Sequence, residues 1–354
     1  MEKICVASEY RFIILCIMIL DNITYYILFS LLLLSSCQKD SDSVMMRIVG
    51  ETQGTFYSVK YISEDRSDYQ SSIDSILLEV DNTFSSWKDS SMISLLNKGN
   101  KVRVNKMFLD VFEIANQIYI ETDGLFDCSI APLVNYWGYG RDPISSEVSL
   151  FDSSEVRLIL DLVQFSRITV IEDSLQLPNG MMLDFNAIAQ GYTVDMISDF
   201  LISNGVKNFL VDIGGEIRSN GRNFEDQYWK VGIDKPEEGN IQRDLQVIVS
   251  LENLSIATSG NYRKYKEING VKYSHIISPI TGYFARNRML SASVLTSSCI
   301  KADAYATAFM IMGIEKSKRF IKYRDDLDVY FVYTNDQGEW QTFATRGLMD
   351  NIKN

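Results

Sequence analysis

From residue 45 onward the apolar positions follow two different periods. Residues 45–50 and 55–62 alternate apolar and polar side chains, as a half-buried strand requires, and Gln53-Gly54 between them predicts a turn. Residues 71–84 repeat on a helical period, with Ile73, Ile76, Leu77 and Val80 on one side, and predict an amphipathic helix. Further helices are expected over 108–122, stopped by Asp123-Gly124, and over 187–204, ended by Gly205. Strands are expected at 166–171, 208–213, 216–219, 228–233, 245–251, 254–258 and 288–296, then helices at 302–312 and 315–323. Residues 329–334 and 340–344 predict a closing hairpin across 335–338. Helices and strands are mixed without the steady alternation of a doubly wound sheet. The expected class is therefore α+β, with largely antiparallel sheets in one compact unit.

Ahead of this body the pattern changes. Lys3 and Arg11 precede an apolar run over 12–20, Asp21-Asn22 interrupts it, and a second run over 23–34 leads to Leu34-Ser35-Ser36-Cys37 and a polar stretch. A basic start, an apolar stretch and small residues describe a secretory signal. Cysteine directly after Leu-Ser-Ser resembles the lipobox of bacterial lipoproteins, in which that cysteine is lipidated and becomes the mature N-terminus. The span is long enough for an uncleaved anchor, but Asp21 is costly at mid-membrane. The organisation expected is a signal peptide over 1–36, a lipidated tether over 37–45, a catalytic domain over 46–345 and a C-terminal tail over 346–354. The protein is expected at the bacterial cell envelope, held to the membrane by lipid and facing the periplasm or exterior.

Charge narrows the chemistry. The chain has 354 residues, 34 Lys or Arg against 46 Asp or Glu, and a net charge of −12, so nucleic acid is not an expected partner. An acidic protein that handles an anionic nucleotide must meet it with a metal ion, backbone N–H groups or a few placed cations. Cys128 and Cys299 are the body's cysteines and are expected as small buried residues rather than a bridge. His275 is the single histidine, which excludes a multi-histidine metal site.

Several strings carry candidate chemistry. Asp303 and Thr307 lie four apart on an expected helix, whose start Ser297 or Ser298 would cap. A carboxylate and a hydroxyl on one face suit Mg²⁺, although an Asp near a helix start more often stabilises the helix dipole. Asp184 precedes a helix rich in small residues, either a site where a ligand approaches the backbone or a capped helix packed on a sheet. Asp212-Ile213-Gly214-Gly215-Glu216 reads as a bulge or an anion-holding nest. Gly124 to Asp127 and Ala131 to Gly140 offer an acid and aromatic rings near glycines. Ser259, at an expected strand end, is a conceivable nucleophile with His275 as base and Asp212 or Asp303 as orienting acid, but no Gly-x-Ser-x-Gly elbow surrounds it.

Taken in order, these strings resemble the FAD:protein FMN transferase family, the ApbE-type flavin transferases. The resemblance rests on Gly54-Thr55, Phe84-Ser85-Ser86-Trp87 with Ser94-Leu95-Leu96-Asn97, and Phe126-Asp127 with Pro132-Leu133-Val134-Asn135 and Trp137-Gly138. It continues through Asp184 to Asp195, Asp212 to Glu216, Thr258-Ser259-Gly260, His275 to Gly282, and Ala302-Asp303 to Thr307, covering about residues 46–345. It implies cleavage of FAD at its pyrophosphate, transfer of FMN to a Thr or Ser hydroxyl of an acceptor protein as a phosphoester, and release of AMP. The acceptor would be a subunit of a membrane or extracytoplasmic electron-transfer complex. The resemblance also implies Mg²⁺ on the Ala187 carbonyl, Asp303 and Thr307, and FAD against Gln53, Trp87, Leu125, Phe126, Asp127, Asp184, Gln190 and Ile276. His275 would be the general base. Gln190 stands where the family often has lysine, Ser278 replaces an aspartate, Phe284 a proline, and Asn186-Ala187 a common glycine pair. Two other readings stay open: an FAD pyrophosphatase yielding FMN and AMP, and a flavin-binding lipoprotein without turnover.

Overall fold

The hairpin predicted around Gln53-Gly54 starts the main sheet. Strand β1 (Val44–Thr52) pairs with β2 (Thr55–Ser63), and Thr52 faces Thr55 across the two-residue turn. Gln53 and Gly54 both take positive φ, 49° and 72°, the backbone that a tight hairpin turn demands. The computed structural model describes residues 43–142, 153–237, 244–261, 265–268 and 271–353; the expected signal peptide and the expected lipobox with Cys37 lie outside them.

Six more strands complete the sheet: β3 (Phe209–Ile213), β4 (Glu216–Asn220), β5 (Ser255–Gly260), β6 (Met289–Thr296), β7 (Asp328–Thr334) and β8 (Trp340–Ala344). Their order across the sheet is their order along the chain, and every neighbouring pair is antiparallel. This matches the expected α+β class. An antiparallel meander needs no crossover between neighbours, so the longer connections are free to carry helices. Helices α1 (Gln70–Phe84), α2 (Lys106–Glu121) and α3 (Ala189–Ser203) are inserted between β2 and β3. Helices α4 (Cys299–Met312) and α5 (Ile314–Ile321) are inserted between β6 and β7.

Side-chain alternation divides the layers. Phe209, Val211 and Ile213 of β3 face a core shared with α1 and α3, whereas Leu210 faces the opposite core. That second core lies under a three-stranded sheet of Trp229–Asp234, Leu245–Leu251 and Ile352–Lys353. In α4, ten residues are buried, including Asp303, and apolar groups surround it on all sides; it is a central helix, packed against α3 and the sheet.

The structure corrects several expectations. Residues 166–171 do not form a strand, because the Phe165 N–H donates to Asp127 Oδ2 at 3.2 Å and the chain turns through a short 3-10 helix, Phe165–Arg167. The expected tail over 346–354 is part of the body: Arg346–Asn351 is helical, Ile352–Lys353 pairs with the small sheet, and Leu348 is fully buried. Helix α4 begins at Cys299, three residues before its expected start, and Ser298 does not cap it through its side chain. The cap comes from α3. Asp195 accepts from the backbone N–H groups of Cys299 (3.1 Å) and Ile300 (3.0 Å), from Ser298 Oγ (3.0 Å) and from Arg218 Nη1 (2.9 Å). Cys128 and Cys299 are free and buried, as expected, and burial pushes both thiols up.

Candidate functional site

The site forms where α3 and α4 touch. Gly191 allows it: a Cβ there would stand 2.4 Å from the Cys299 carbonyl oxygen and 2.8 Å from the Asp303 Cβ. The small residue expected to admit a ligand admits a helix instead. Gly191→Ala must therefore push the helices apart against backbone that cannot yield. It is expected to destabilise the protein by about 1–3 kcal/mol; a denaturant midpoint equal to that of the unaltered protein would refute this contact.

With no side chain between them, the helices share a hydrogen bond. The Gly191 N–H donates to Asp303 Oδ2 at 3.0 Å. In a regular helix that N–H would bond to the carbonyl of Ala187, four residues earlier. Among the described residues no backbone N–H donates to the Ala187 oxygen. Helix α3 has Ile188 at its N-cap, whose side chain offers no acceptor, and Asp184 does not cap it but accepts from the N–H and side-chain amide of Asn186.

Asp303 is 7% exposed, and no Lys or Arg pairs with it among the described residues. Burial pushes its carboxyl up to about 7, with the Gly191 hydrogen bond opposing the shift. One turn later Thr307 is half-buried, its hydroxyl 3.0 Å from Ser259 Oγ on β5. The β1–β2 turn reaches the same region: Gln53 Nε2 donates to Thr193 Oγ1 (2.7 Å), while Gln53 Oε1 is buried with no protein partner. Gln190 is half-buried in the first turn of α3. Gly214-Gly215 is neither a bulge nor a nest but a two-residue hairpin turn, with Ile213 facing Glu216 and the Gly215 N–H donating to Asp212 Oδ1 at 3.0 Å. Among the described residues no three His, Cys, Asp or Glu side chains gather as a metal cluster. A cation here would take one carboxylate together with a carbonyl and a hydroxyl.

A cleft opens on the N-terminal side of α3. Trp87, Asn97, Asn135, Tyr139, Arg141 and Asp184 line it. Asn97 fixes one wall by donating to the Leu183 carbonyl and accepting from the Leu183 N–H. Trp87 is 67% exposed, so a ring face is open for stacking. Arg141 holds its loop on both sides, donating to the Ser86 carbonyl (3.2 Å) and pairing with Asp89 (2.9 Å). Burial raises the Asp184 carboxyl against its Asn186 hydrogen bonds. His275 is half-buried, its ring 6.3 Å from that of Tyr139, which lines the cleft.

The remaining predicted residues stand differently. Phe126 and Ile276 are buried in the large helical core. Asp127 is buried and accepts from the Ser129 N–H and hydroxyl and from the Phe165 N–H; burial raises its carboxyl, and those bonds oppose the rise. Main-chain groups here are also engaged: the Phe126 N–H donates to Thr122 Oγ1 and the Ile276 carbonyl accepts from the Ala285 N–H. Leu125 is half-buried beside them. The departures are accommodated locally. Ser278 accepts from the Thr281 N–H (3.3 Å) in a turn closed by its own carbonyl, and Phe284 packs against Trp137 with ring centroids 4.6 Å apart. Sequence reasoning missed Asp195, Gly191 as a helix contact, and Arg141.

Comparison with known proteins agrees across most of the chain. The ApbE family model matches residues 53–331. The FAD:protein FMN transferase of Vibrio cholerae serotype O1 is 35% identical over 316 residues, spanning 87% of this chain and 93% of its own. That of Haemophilus influenzae is 30% identical over 320 residues, spanning 86% and 90%. Among solved structures, the flavin transferase ApbE from Vibrio cholerae superposes with a TM-score of 0.78 at 32% identity, over 87% of this chain and 99% of its own. The apo form of Pseudomonas stutzeri flavinyl transferase ApbE gives 0.77 at 28% identity, over 87% and 97%.

Proposed function

Because the chain belongs to the ApbE family, we propose that it is an FAD:protein FMN transferase that moves FMN from FAD to a Thr or Ser hydroxyl of an acceptor redox protein and releases AMP. One observation carries the reading. Asp303 is a buried carboxyl with no Lys or Arg partner among the described residues, and the Gly191 N–H that donates to it is the one that would otherwise go to the Ala187 carbonyl, four residues earlier. A buried charge in that state calls for a counter-ion. Ala187, Asp303 and Thr307 would hold Mg²⁺, which suits few hard oxygen ligands because it keeps several waters and binds substrate phosphate. Bound there, the ion would neutralise charge on the diphosphate.

The chain's own residues orient the reactants. Trp87 offers a ring face to FAD, and Asp184 lines the same cleft. Gln53, Leu125, Phe126, Asp127, Gln190 and Ile276 contribute further contacts. His275 accepts the proton of the acceptor hydroxyl as its oxygen bonds to the FMN phosphorus; the bond from that phosphorus to the AMP oxygen breaks, and AMP leaves.

Co-expression with a candidate acceptor subunit of an electron-transfer complex, followed by mass spectrometry, tests this. The expected product is a covalent FMN adduct on a Thr or Ser that disappears when His275 or Asp303 is replaced. FMN plus AMP without an adduct would identify an FAD pyrophosphatase, and unchanged FAD a flavin-binding protein without turnover.

The same reading includes lipidation at Cys37 and a body held at the outer surface of a membrane. Cys37→Ser is expected to abolish palmitate labelling; a variant labelled like the unaltered protein would overturn the lipobox assignment.

A further inference from the structure

Helical threonines in this protein have a habit that Thr307 breaks. Thr83, Thr122 and Thr193 each donate their hydroxyl to the carbonyl four residues earlier, at 2.9, 2.7 and 2.7 Å. This back-bond is the usual resting place of a threonine hydroxyl on a helix. The corresponding acceptor for Thr307 is the Asp303 carbonyl, and Thr307 does not use it. Its hydroxyl is turned to Ser259 Oγ, 3.0 Å away on β5 and 48 residues distant in the chain. Ser259 can meet it because β5 runs on to Gly260; the residue expected at a strand end is held inside the sheet, with Ser259 opposite Ala292 of β6.

A threonine hydroxyl has one proton and two lone pairs. A hydroxyl that ligates a cation through a lone pair keeps its proton, which must point away from the ion toward an acceptor. We propose that Ser259 is the positioning residue for the cation site: it accepts the Thr307 proton, holds the hydroxyl off the helix back-bond and leaves its lone pairs facing the Asp303 side. This role rests on the proposed cation site and replaces the nucleophile reading of Ser259. An Oγ committed to Thr307 acts on the cation ligand and not on a carbonyl carbon.

Calorimetric titration of MgCl₂ into the full-length, detergent-solubilised protein tests the assignment without turnover. Ser259→Ala is expected to weaken Mg²⁺ binding about tenfold, the usual effect of losing a partner that orients a metal ligand, with its denaturant midpoint unchanged. Thr307→Ala weakens binding at least as much, and the double variant binds no worse than Thr307→Ala alone, because Ser259 acts only through that hydroxyl. Ser259→Ala binding like the unaltered protein, or additive losses in the double variant, would overturn the role of Ser259 and leave the cation site standing. An unaltered protein that takes up no Mg²⁺ would overturn both.

Discussion

Asp303→Ala abolishes Mg²⁺-dependent FMN transfer, by the proposed assignment, while the protein still folds. The carboxylate is the only charged group among the three proposed ligands, and losing a phosphate-neutralising ion removes several kcal/mol of transition-state stabilisation, a loss on the order of a thousandfold or more. Folding survives because the native protein gains little from this group: burial disfavours its ionised form, no Lys or Arg pairs with it among the described residues, and its one hydrogen bond comes from the Gly191 N–H. The sign follows from the pKa. Asp303 is raised from 3.8 to about 7 by burial, so the stability it contributes is fully present below 3.8 and is lost as pH rises toward 7. A cation that binds the ionised form restores that loss. MgCl₂ is therefore expected to raise the melting temperature more at pH 8 than at pH 6, and Asp303→Asn, which keeps a hydrogen-bond acceptor for Gly191 but carries no charge, should show neither effect. Full transfer activity in Asp303→Ala, or an undiminished Mg²⁺ shift in Asp303→Asn, would remove the metal assignment.

Asp195→Ala is expected to have the larger effect on stability. Asp195 is 8% exposed and binds two N–H groups of the first turn of α4, the Ser298 hydroxyl and Arg218. Removing it leaves both N–H groups buried without an acceptor, and among the described residues Arg218 keeps Asp199 alone as an acidic partner, at 3.0 Å. Breaking a buried, hydrogen-bonded ion pair on one side costs about 3–5 kcal/mol. Urea unfolding should show a lower midpoint at unchanged slope; a drop below about 1 kcal/mol would mean that α4 is capped some other way. Weaker Mg²⁺ binding should accompany the loss, because Asp303 and Thr307 both ride on that helix.

The contrast between Asp195 and Asp303 shows what could be read before folding. Both are acids on buried helices, and no local pattern separates the one that caps a neighbour and pairs with Arg218 from the one that receives a single N–H, that of Gly191. Helix α2 and the β1–β2 hairpin were legible because their apolar repeats and stop signals lie within a few residues of one another. The start of α4 was not legible, since its cap is supplied from α3. The extended reading of 166–171 failed because a distant carboxylate, Asp127, captures the Phe165 N–H.

By itself the sequence determined what depends on local spacing and residue identity. This covers the two periods and hence the α+β class, the sole imidazole, the acidic balance of charge, and the ordered strings that point to the flavin transferases. Tertiary structure alone decided which polar atoms meet. The Gly191 N–H finds Asp303 across 112 residues, which releases the Ala187 carbonyl, and Thr307 finds Ser259 across a helix–sheet contact. The reason is physical. Periodicity is a property of neighbours along one chain direction, whereas a buried hydrogen bond is chosen by competition among every donor and acceptor that packing brings within about 3 Å.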